Sequence, residues 1–510
     1  MKLEWGLAAL LVASAAAQGA DRRQLRPSRR RDGGTRQAGA GRPEGIRALR
    51  EKEDRSKKVV CYYTNWSVYR KGLAKFTPQN INPYLCTHLV YAFGGLTDEF
   101  IVKPFDSYQD IEQGGYAKFN GLKQYNKGLK TLLAIGGWNE GSGRFSELVS
   151  TAENRKIFVN SAIKHLRRYN FDGLDLDWEY PASRTGSVPE DRENYAALVK
   201  ELRVAFQQEG RKIKKGRLLL TMAVPAGQNY IDKGYDIPSL TRDLDFFNIL
   251  NYDYHSAYEP QVNHHAALMA PPGTSEHEWD AQLNVDWTIK YYISKGADAH
   301  KLVMGIPSYG RSYTLIDGIF TDLGASADGP GAEGKYTKEK GYVAFYEVCE
   351  NIAAEGWQVA KPFPRRIGPY AYKGNQWVGY DDEHIVAKKA EYVRENNLGG
   401  IMFWSLDSED FRGSCNGQEY PLIEAGKKAL FAESETSLND AQEISNSVQQ
   451  NSIKRNPLIA SSPTTTTTSR PSRRPRPGSR LQQHQQNKAQ TTFNPLNTPA
   501  PPTTPSPVSG

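Results

Sequence analysis

Three acids alternate with three large apolar residues in the segment 171–180, FDGLDLDWEY; the acids are Asp175, Asp177 and Glu179, and the apolar residues are Leu174, Leu176 and Trp178. A period of two predicts a strand with the acids on one face. Neighbouring acids on that face lie about 6–7 Å apart. Because three like charges this close cannot all ionise cheaply, we expect the pKa of at least one carboxyl to rise. A carboxyl that stays protonated near neutral pH can act as a general acid.

Two other interpretations of this segment are open. The acids could form the solvated face of an edge strand, although a central strand is harder to reconcile with that. Alternatively, Asp-x-Asp could hold a divalent metal for sugar transfer, but Gly-x-Gly-x-x-Gly follows none of the predicted strands. The lack of such a nucleotide-binding turn gives the metal interpretation no support.

The segment belongs to a series of apolar, β-rich runs that alternate with helical patterns. The eight runs are 59–66, 88–95, 130–137, 171–179, 218–226, 245–254, 301–310 and 399–407, and the clearest helical patterns are 155–169, 191–209 and 280–295. This alternation predicts an α/β fold, a (β/α)8 TIM barrel, with an open doubly wound sheet as the alternative. Residues 312–376 exceed a simple crossover and predict a small α+β insertion between strand 7 and the last strand. Glu179 ends the fourth run, where barrel active sites lie.

The two ends of the chain differ in composition from the barrel. Residues 1–20 have a short charged start, an apolar run and small residues, which predicts a cleaved signal peptide and a secreted protein; an uncleaved anchor is the alternative. Residues 21–57 are rich in arginine and 432–510 in Ser, Thr, Pro and Gln, which predicts disorder in both. The catalytic domain is expected at 58–431, with no membrane span after signal cleavage.

Charge is distributed unevenly along the chain. The net charge is +8, but residues 21–58 carry +8 and 432–510 carry +4, which leaves about −4 for residues 59–431. The basic balance therefore gives no support for a nucleic-acid partner. Four cysteines in a secreted chain favour two disulfides over a metal site, and the sequence alone leaves three pairings open.

Five motifs lie at or near the predicted strand ends: Asp172–Glu179 (DGLDLDWE), Lys130–Trp138 (KTLLAIGGW), Leu250–Asp253 (LNYD), Tyr309–Arg311 (YGR) and Met402–Trp404 (MFW). Together they resemble the strand motifs of the family-18 glycoside hydrolases, the chitinases and chitinase-like lectins. The resemblance covers roughly residues 58–431 and is greatest to secreted animal chitinases, particularly those of arthropods. It implies the same barrel that the alternation predicts.

The resemblance implies four catalytic residues. Glu179 would protonate the glycosidic oxygen. Asp177 would first share a proton with Asp175 and then hold the nitrogen of the substrate's acetamide group. Tyr252 would donate a hydrogen bond to the acetamide carbonyl. The substrate's own N-acetyl oxygen would be the nucleophile, so no second catalytic carboxylate and no cofactor are needed.

The resemblance also implies a set of substrate-binding residues and a disulfide pairing. Asp253 and Arg311 would position the sugar at the cut and Trp404 would lie beneath it, Trp66 and Trp138 would stack on neighbouring sugars, and the strand motifs add Tyr309 and Met402. The family's pattern pairs Cys61 with Cys86 and Cys349 with Cys415.

These observations together predict an endo-acting chitinase that hydrolyses β-1,4-linked N-acetylglucosamine polymers with retention. Chitin or chitooligosaccharides are the expected partners, and the protein is expected to be monomeric. Two alternatives are open: a chitin-binding lectin without turnover, and an endo-β-N-acetylglucosaminidase that acts on protein-linked glycans. Lectin-like relatives typically lose the acid, whereas this chain has Glu179.

Overall fold

A computed structural model describes residues 57–432, apart from Glu276. The predicted signal peptide, the predicted basic segment up to residue 56 and the predicted tail from residue 433 lie outside the described residues. No helix in the described part of the chain is both long and apolar enough to cross a membrane.

Eight parallel strands close into a barrel, which confirms the (β/α)8 prediction. The barrel strands are β1 (Lys58–Thr64), β2 (His88–Leu96), β4 (Lys130–Gly136), β5 (Gly173–Asp177), β6 (Leu219–Val224), β7 (Phe246–Ile249), β8 (Leu302–Pro307) and β15 (Gly400–Trp404). They follow the order β1-β15-β8-β7-β6-β5-β4-β2, and β2 pairs with β1 to close the ring. Strand β3 (Val102–Pro104) runs antiparallel to β2 and pairs with the carboxyl end of β2.

Helices surround the barrel and return the chain between its strands. The α-helices are α1 (Gly115–Gly121), α2 (Gly143–Ser150), α3 (Ala152–Arg168), α4 (Asp191–Ile213), α5 (Gln228–Gly234), α6 (Ile237–Asp243), α7 (Val285–Ser294), α8 (Phe345–Glu355), α9 (Glu383–Glu395) and α10 (Pro421–Leu430). Short 3-10 segments span Asn65–Tyr69, Gly72–Ala74, Pro78–Asn80, Leu122–Gln124, Trp138–Glu140, Trp279–Gln282 and Ala299–Lys301, and a π-turn spans Tyr108–Glu112. Side-chain caps at Thr151, Asn284 and Asp382 fix where α3, α7 and α9 begin.

A second, antiparallel sheet lies between barrel strands β8 and β15. Its strands are β9 (Tyr309–Leu315), β10 (Ala327–Pro330), β11 (Tyr342–Ala344), β12 (Gln358–Ala360), β13 (Tyr370–Lys373) and β14 (Gln376–Gly379). With helix α8 this sheet forms an α+β insertion between the seventh barrel strand, β8, and the last one, β15. The insertion spans residues 309–379, whereas the sequence predicted 312–376.

Both disulfides implied by the family's pattern are present. Cys61 bonds to Cys86 and ties β1 to the segment before β2. Cys349 bonds to Cys415 and ties helix α8 of the insertion to the segment after β15. The second link therefore fastens the insertion to the barrel. The described residues contain no free cysteine.

Candidate active site

Strand β5 carries the acids into the barrel. Asp175 and Asp177 are buried, and Leu174, Leu176 and Trp178 on the opposite face are also fully buried. One face therefore packs outward against the helices while the other lines the inside of the barrel, as expected for a central strand. The strand ends at Asp177, so half-buried Glu179 lies just beyond it at the carboxyl end. The solvated-face interpretation is therefore wrong.

Asp175 lies at the centre of a buried hydrogen-bond network. The Tyr62 hydroxyl donates to its Oδ2 at 2.7 Å, and Asn248 Nδ2 and Thr221 Oγ1 both donate to its Oδ1, the first at 3.2 Å. Burial raises the pKa of Asp175, and these three hydrogen bonds oppose that rise by stabilising the carboxylate. The donors come from β1, β6 and β7, so the barrel itself holds this carboxyl in place.

Asp177 and Glu179 both have raised pKa values. For Asp177 the main cause is burial, followed by the charges of Glu179 and Asp175. Burial also raises the pKa of Glu179 to about 7, with a smaller contribution from Asp253. The rise was expected from repulsion between the acids alone, whereas loss of water around the buried carboxyls is the larger effect. Asp177 Oδ1 is buried and makes no hydrogen bond within the described part of the chain.

Two neighbours of Glu179 were missed by the sequence analysis. The Tyr180 side chain hydrogen-bonds to Glu179 and lowers its pKa, against the larger effect of burial. Arg184 Nη1 donates to the backbone oxygens of Glu179 at 2.9 Å and Trp138 at 2.8 Å. The Arg184 guanidinium also lies 3.8 Å from the centre of the Trp138 ring. Arg184 thus joins the acid to one of the predicted stacking residues.

A bidentate ion pair between Asp253 and Arg311 lies next to Tyr252 in the site. Arg311 Nε and Nη2 each lie 2.7 Å from an oxygen of Asp253. Burial alone would raise the pKa of Asp253, but Arg311 and His265 outweigh it and hold the pKa well below its usual range. His265 Nδ1 lies 3.2 Å from Asp253 Oδ1, and its Nε2 lies 3.2 Å from the Tyr309 carbonyl. Nothing in the five motifs pointed to His265.

Tyr252, Met402 and Trp404 form the apolar base of the site. The Tyr252 hydroxyl lies 4.0 Å from Met402 Sδ, and both residues belong to the same buried cluster inside the barrel. Trp404 packs against Tyr62, with ring centres 5.2 Å apart. Burial raises the pKa of Tyr252, so its hydroxyl remains a hydrogen-bond donor throughout the neutral range.

Tyr309 and Arg311 do not lie on a barrel strand, although the predicted run 301–310 includes Tyr309. Strand β8 ends at Pro307, and both residues belong to β9 of the second sheet. Ser308 marks the break, because its hydroxyl donates to the Ser405 carbonyl at 2.6 Å. The insertion thus supplies one wall of the site directly.

Trp66 and Trp138 are the exposed aromatic residues of the predicted set, with 41% and 58% of their surface accessible. Trp66 stacks on Phe93, whose ring centre lies 6.0 Å away, and Phe93 lies another 6.0 Å from Trp404. An aromatic path therefore runs from the base of the site to the surface. On the other side, a cavity of about 630 Å³ is lined by residues that include Tyr180, Tyr252, Asp253 and His255.

The arrangement places one protonatable carboxyl beside a buried carboxyl with an unbonded oxygen, over an aromatic base. It suits proton donation to a polar substrate that also offers an N–H group. Within residues 57–432, no group of three or more His, Cys, Asp and Glu side chains is arranged to hold a metal ion.

Comparison with known proteins matches residues 58–409 to the family described as "Glycosyl hydrolases family 18". Chitotriosidase-1 of Mus musculus is 42% identical over 388 residues, which cover 76% of this chain and 81% of that protein.

Two solved structures are similar in fold and sequence. The Group II chitinase catalytic domain 2 of Ostrinia furnacalis is 41% identical with a TM-score of 0.69, over 74% of this chain and 97% of that one. Human YKL-39, described as a pseudo-chitinase with retained chitooligosaccharide binding properties, is 40% identical with a TM-score of 0.68. It matches 74% of this chain and all of its own. Both active and inactive proteins therefore share this architecture.

Proposed function

This chain belongs to the family 18 glycosyl hydrolases, and we propose that it is a secreted, monomeric chitinase that cuts β-1,4-linked N-acetylglucosamine polymers within the chain. One observation carries the proposal: Glu179 has a pKa raised to about 7 and lies at the mouth of the barrel beside Asp177. A binding protein has no need of a carboxyl held protonated near neutral pH. The relatives named chitinase and chitotriosidase support the substrate class.

Glu179 supplies the proton for bond cleavage. Its carboxyl donates a proton to the glycosidic oxygen, the bond from that oxygen to the anomeric carbon breaks, and the leaving sugar departs as an alcohol. Burial keeps this proton in place near neutral pH. In the second step a water oxygen bonds to the anomeric carbon and the bond from the acetamide oxygen to that carbon breaks. The Glu179 carboxylate accepts a proton from this water, which restores the acid.

The nucleophile is the acetamide oxygen of the substrate. As this oxygen bonds to the anomeric carbon, positive charge spreads to the acetamide nitrogen, and Asp177 accepts a hydrogen bond from the N–H on that nitrogen. The unbonded Oδ1 of Asp177 is suited to this role. Three donors stabilise the Asp175 carboxylate, so it can stay charged when Asp177 turns from it to the acetamide. Tyr252 donates to the acetamide carbonyl and so orients it for attack.

The remaining residues hold the polymer. Trp404 and Met402 lie beneath the sugar at the cut, and the Asp253–Arg311 pair with Tyr309 contacts its edge. Trp66 and Trp138 offer exposed ring faces for sugars on either side. A groove with platforms on both sides of the acid favours a long linear substrate and internal cuts.

The direct test is hydrolysis of a chitin hexamer by the wild type and by Glu179→Gln. We expect the variant to lose about 10²–10⁴-fold in kcat, because it cannot donate a proton, while still binding the oligosaccharide. Calorimetric titration of the hexamer checks the binding, and product lengths distinguish internal from terminal cuts.

Equal rates in both proteins would overturn the assignment of the acid. Tight binding by the wild type without any turnover would instead support a role like that of YKL-39. Cleavage confined to protein-linked glycans would identify an endo-β-N-acetylglucosaminidase.

A further inference from the structure

Two adjoining hollows lie at the end of the barrel opposite the active site, where the strands begin. They have volumes of about 950 Å³ and 880 Å³ and share Lys130, Gln207, Arg217 and Leu219 in their linings. We call the two together the basal hollow. The chemistry proposed above does not involve it, because parallel strands place their beginnings and ends on opposite faces of the barrel.

The lining of the basal hollow is strongly basic. It contains nine lysines and arginines against four aspartates; the basic residues are Lys58, Lys130, Arg167, Arg203, Arg211, Lys215, Arg217, Arg242 and Lys301, and the acids are Asp172, Asp243, Asp245 and Asp298. The domain as a whole is slightly acidic, so its charges are segregated rather than mixed. A concave basic surface concentrates anions near it.

Ion pairs neutralise only part of the lining: Arg167 pairs with Glu209 and Arg242 with Asp243. Asp245 is shared by two guanidinium groups, Arg217 at 2.6 Å and Arg203 at 3.2 Å. Lys130, Arg211 and Lys215 make no ion pair with any described residue, and the last two are exposed. These three cations are therefore the ones available to an anionic ligand.

The pKa of His88 responds to the positive charges that line the hollow. It lies in the lining near Lys58 and Lys130, and its pKa is lowered to about 3, mainly by burial and then by those two lysines. A bound anion would offset the charge of the lysines. The His88 ring therefore offers a spectroscopic probe of occupancy at this position.

The segment at positions 21–57 carries 13 basic and 6 acidic residues. A binding experiment on the full-length protein must therefore separate the contribution of this segment from that of the hollow.

We propose that the basal hollow binds an extended polyanion of the sulfated polysaccharide class. Its lining offers cations for the sulfate groups, and Gln207 and Asn170 offer polar side chains for sugar hydroxyls. The phenylalanines in the lining, Phe171 and Phe246, are 2% and 1% exposed, whereas His300 in the lining has an exposed imidazole ring. The hollow therefore offers no open Phe, Tyr or Trp ring on which a nucleic-acid base could stack, which argues against single-stranded nucleic acid.

The test measures binding of a size-fractionated heparin oligosaccharide to the full-length protein over a range of salt concentrations. The variant Lys130→Gln/Arg211→Gln/Lys215→Gln removes the three available cations. A matched control, Lys75→Gln/Lys233→Gln/Lys340→Gln, removes three exposed cations outside the hollow. A third variant replaces Arg29, Arg30 and Arg31 with serine to assess the basic N-terminal segment.

We expect the hollow variant to bind heparin about tenfold more weakly or worse, with a shallower salt dependence, because fewer counterions are released. The control should bind as the wild type does, and chitin hydrolysis should be unchanged in both. Heparin should also raise the pKa of His88 in the wild type, as followed by NMR titration.

Equal loss in the control, or no loss in the hollow variant, would overturn the proposal. So would a loss confined to the arginine-to-serine variant, which would place binding in the segment before the barrel. Single-stranded DNA of matched charge that competes as well as heparin would overturn the choice of a sulfated polysaccharide.

Discussion

Glu179 illustrates how the immediate neighbours of one carboxyl set its function. Burial raises its pKa, while hydrogen bonding from Tyr180 and the charge of Arg184 lower it. The outcome is a pKa of about 7, which leaves the acid mostly protonated in mildly acidic solution. This balance predicts how the activity depends on pH.

We expect kcat/KM to fall as pH rises through about 7, because the free enzyme then loses the proton that it must donate. Tyr180→Phe should move this alkaline limb to higher pH, since the variant loses a hydrogen bond that stabilises the carboxylate. Initial rates on a soluble chitooligosaccharide at low substrate concentration, measured across the pH range, check both expectations. A limb at the same pH in both proteins would show that a different group controls it.

Site residues within contiguous motifs could be predicted from the sequence. Site residues that come from other segments and contact those motifs only in the folded chain could not. The alternation in 171–180 was enough to predict raised pKa values, and the motifs supplied Tyr252, Asp253 and Arg311. His265 has no recognisable spacing to Asp253 and becomes visible only when the chain folds back. Arg184 was missed for a similar reason, because its partners are backbone oxygens.

At the scale of elements, a buried ion pair fixes the start of helix α9, which follows the insertion. Lys389 on helix α9 pairs with Asp381 just before that helix, and both side chains are completely buried. His264 Nε2 lies 3.8 Å from Asp381 Oδ1 and 2.9 Å from the carbonyl of Tyr380. Burial lowers the pKa of Lys389 and raises that of Asp381, so each charge depends on the other.

Lys389→Met should destabilise the protein by roughly 3–5 kcal/mol, because it leaves Asp381 buried without its partner. The double variant Lys389→Met/Asp381→Leu should recover most of that loss, since no unpaired charge then remains. Urea unfolding followed by fluorescence gives both free energies. A double variant as unstable as the single one would mean that the loss of stability comes from changed packing and not from an unpaired charge.

The alternation of strands and helices was predictable because apolar runs and amphipathic patterns recur at short range. All eight barrel strands overlap their predicted runs, although most end sooner than the run does. The end of β8 was missed, because the apolar pattern continues from the barrel into β9. The Ser308 hydroxyl donates to the carbonyl of Ser405, which follows β15 and is far away in sequence, and this hydrogen bond marks the boundary between β8 and β9.

At the scale of the whole molecule, the buried Asp177 of the active site lowers the free energy of unfolding. Burying Asp177 raises its pKa, so the folded protein resists an ionisation that the unfolded chain accepts. Above the ordinary pKa of an aspartate, the unfolded state therefore gains stability relative to the folded state as pH rises. A neutral side chain of the same shape does not carry this cost.

Asp177→Asn should therefore raise the Tm while abolishing hydrolysis, with a gain on the order of 1 kcal/mol at neutral pH. The difference in Tm between variant and wild type should grow as pH rises above about 4, the ordinary pKa of an aspartate. Differential scanning calorimetry at several pH values measures it. A difference that does not change with pH would show that Asp177 ionises in the folded protein as it does in the unfolded chain.

The Cys349–Cys415 bond joins two residues 66 positions apart, and the loop between them includes β12 to β14, α9 and the last barrel strand. The turn between β13 and β14 is exposed at Gly374 and Asn375, where a protease has access to the backbone. A cut there would leave the two pieces covalently joined. Such a nicked protein would run as a single band on a gel without reductant and as two bands with it, so intact mass on a non-reducing gel is no guarantee of an unbroken chain.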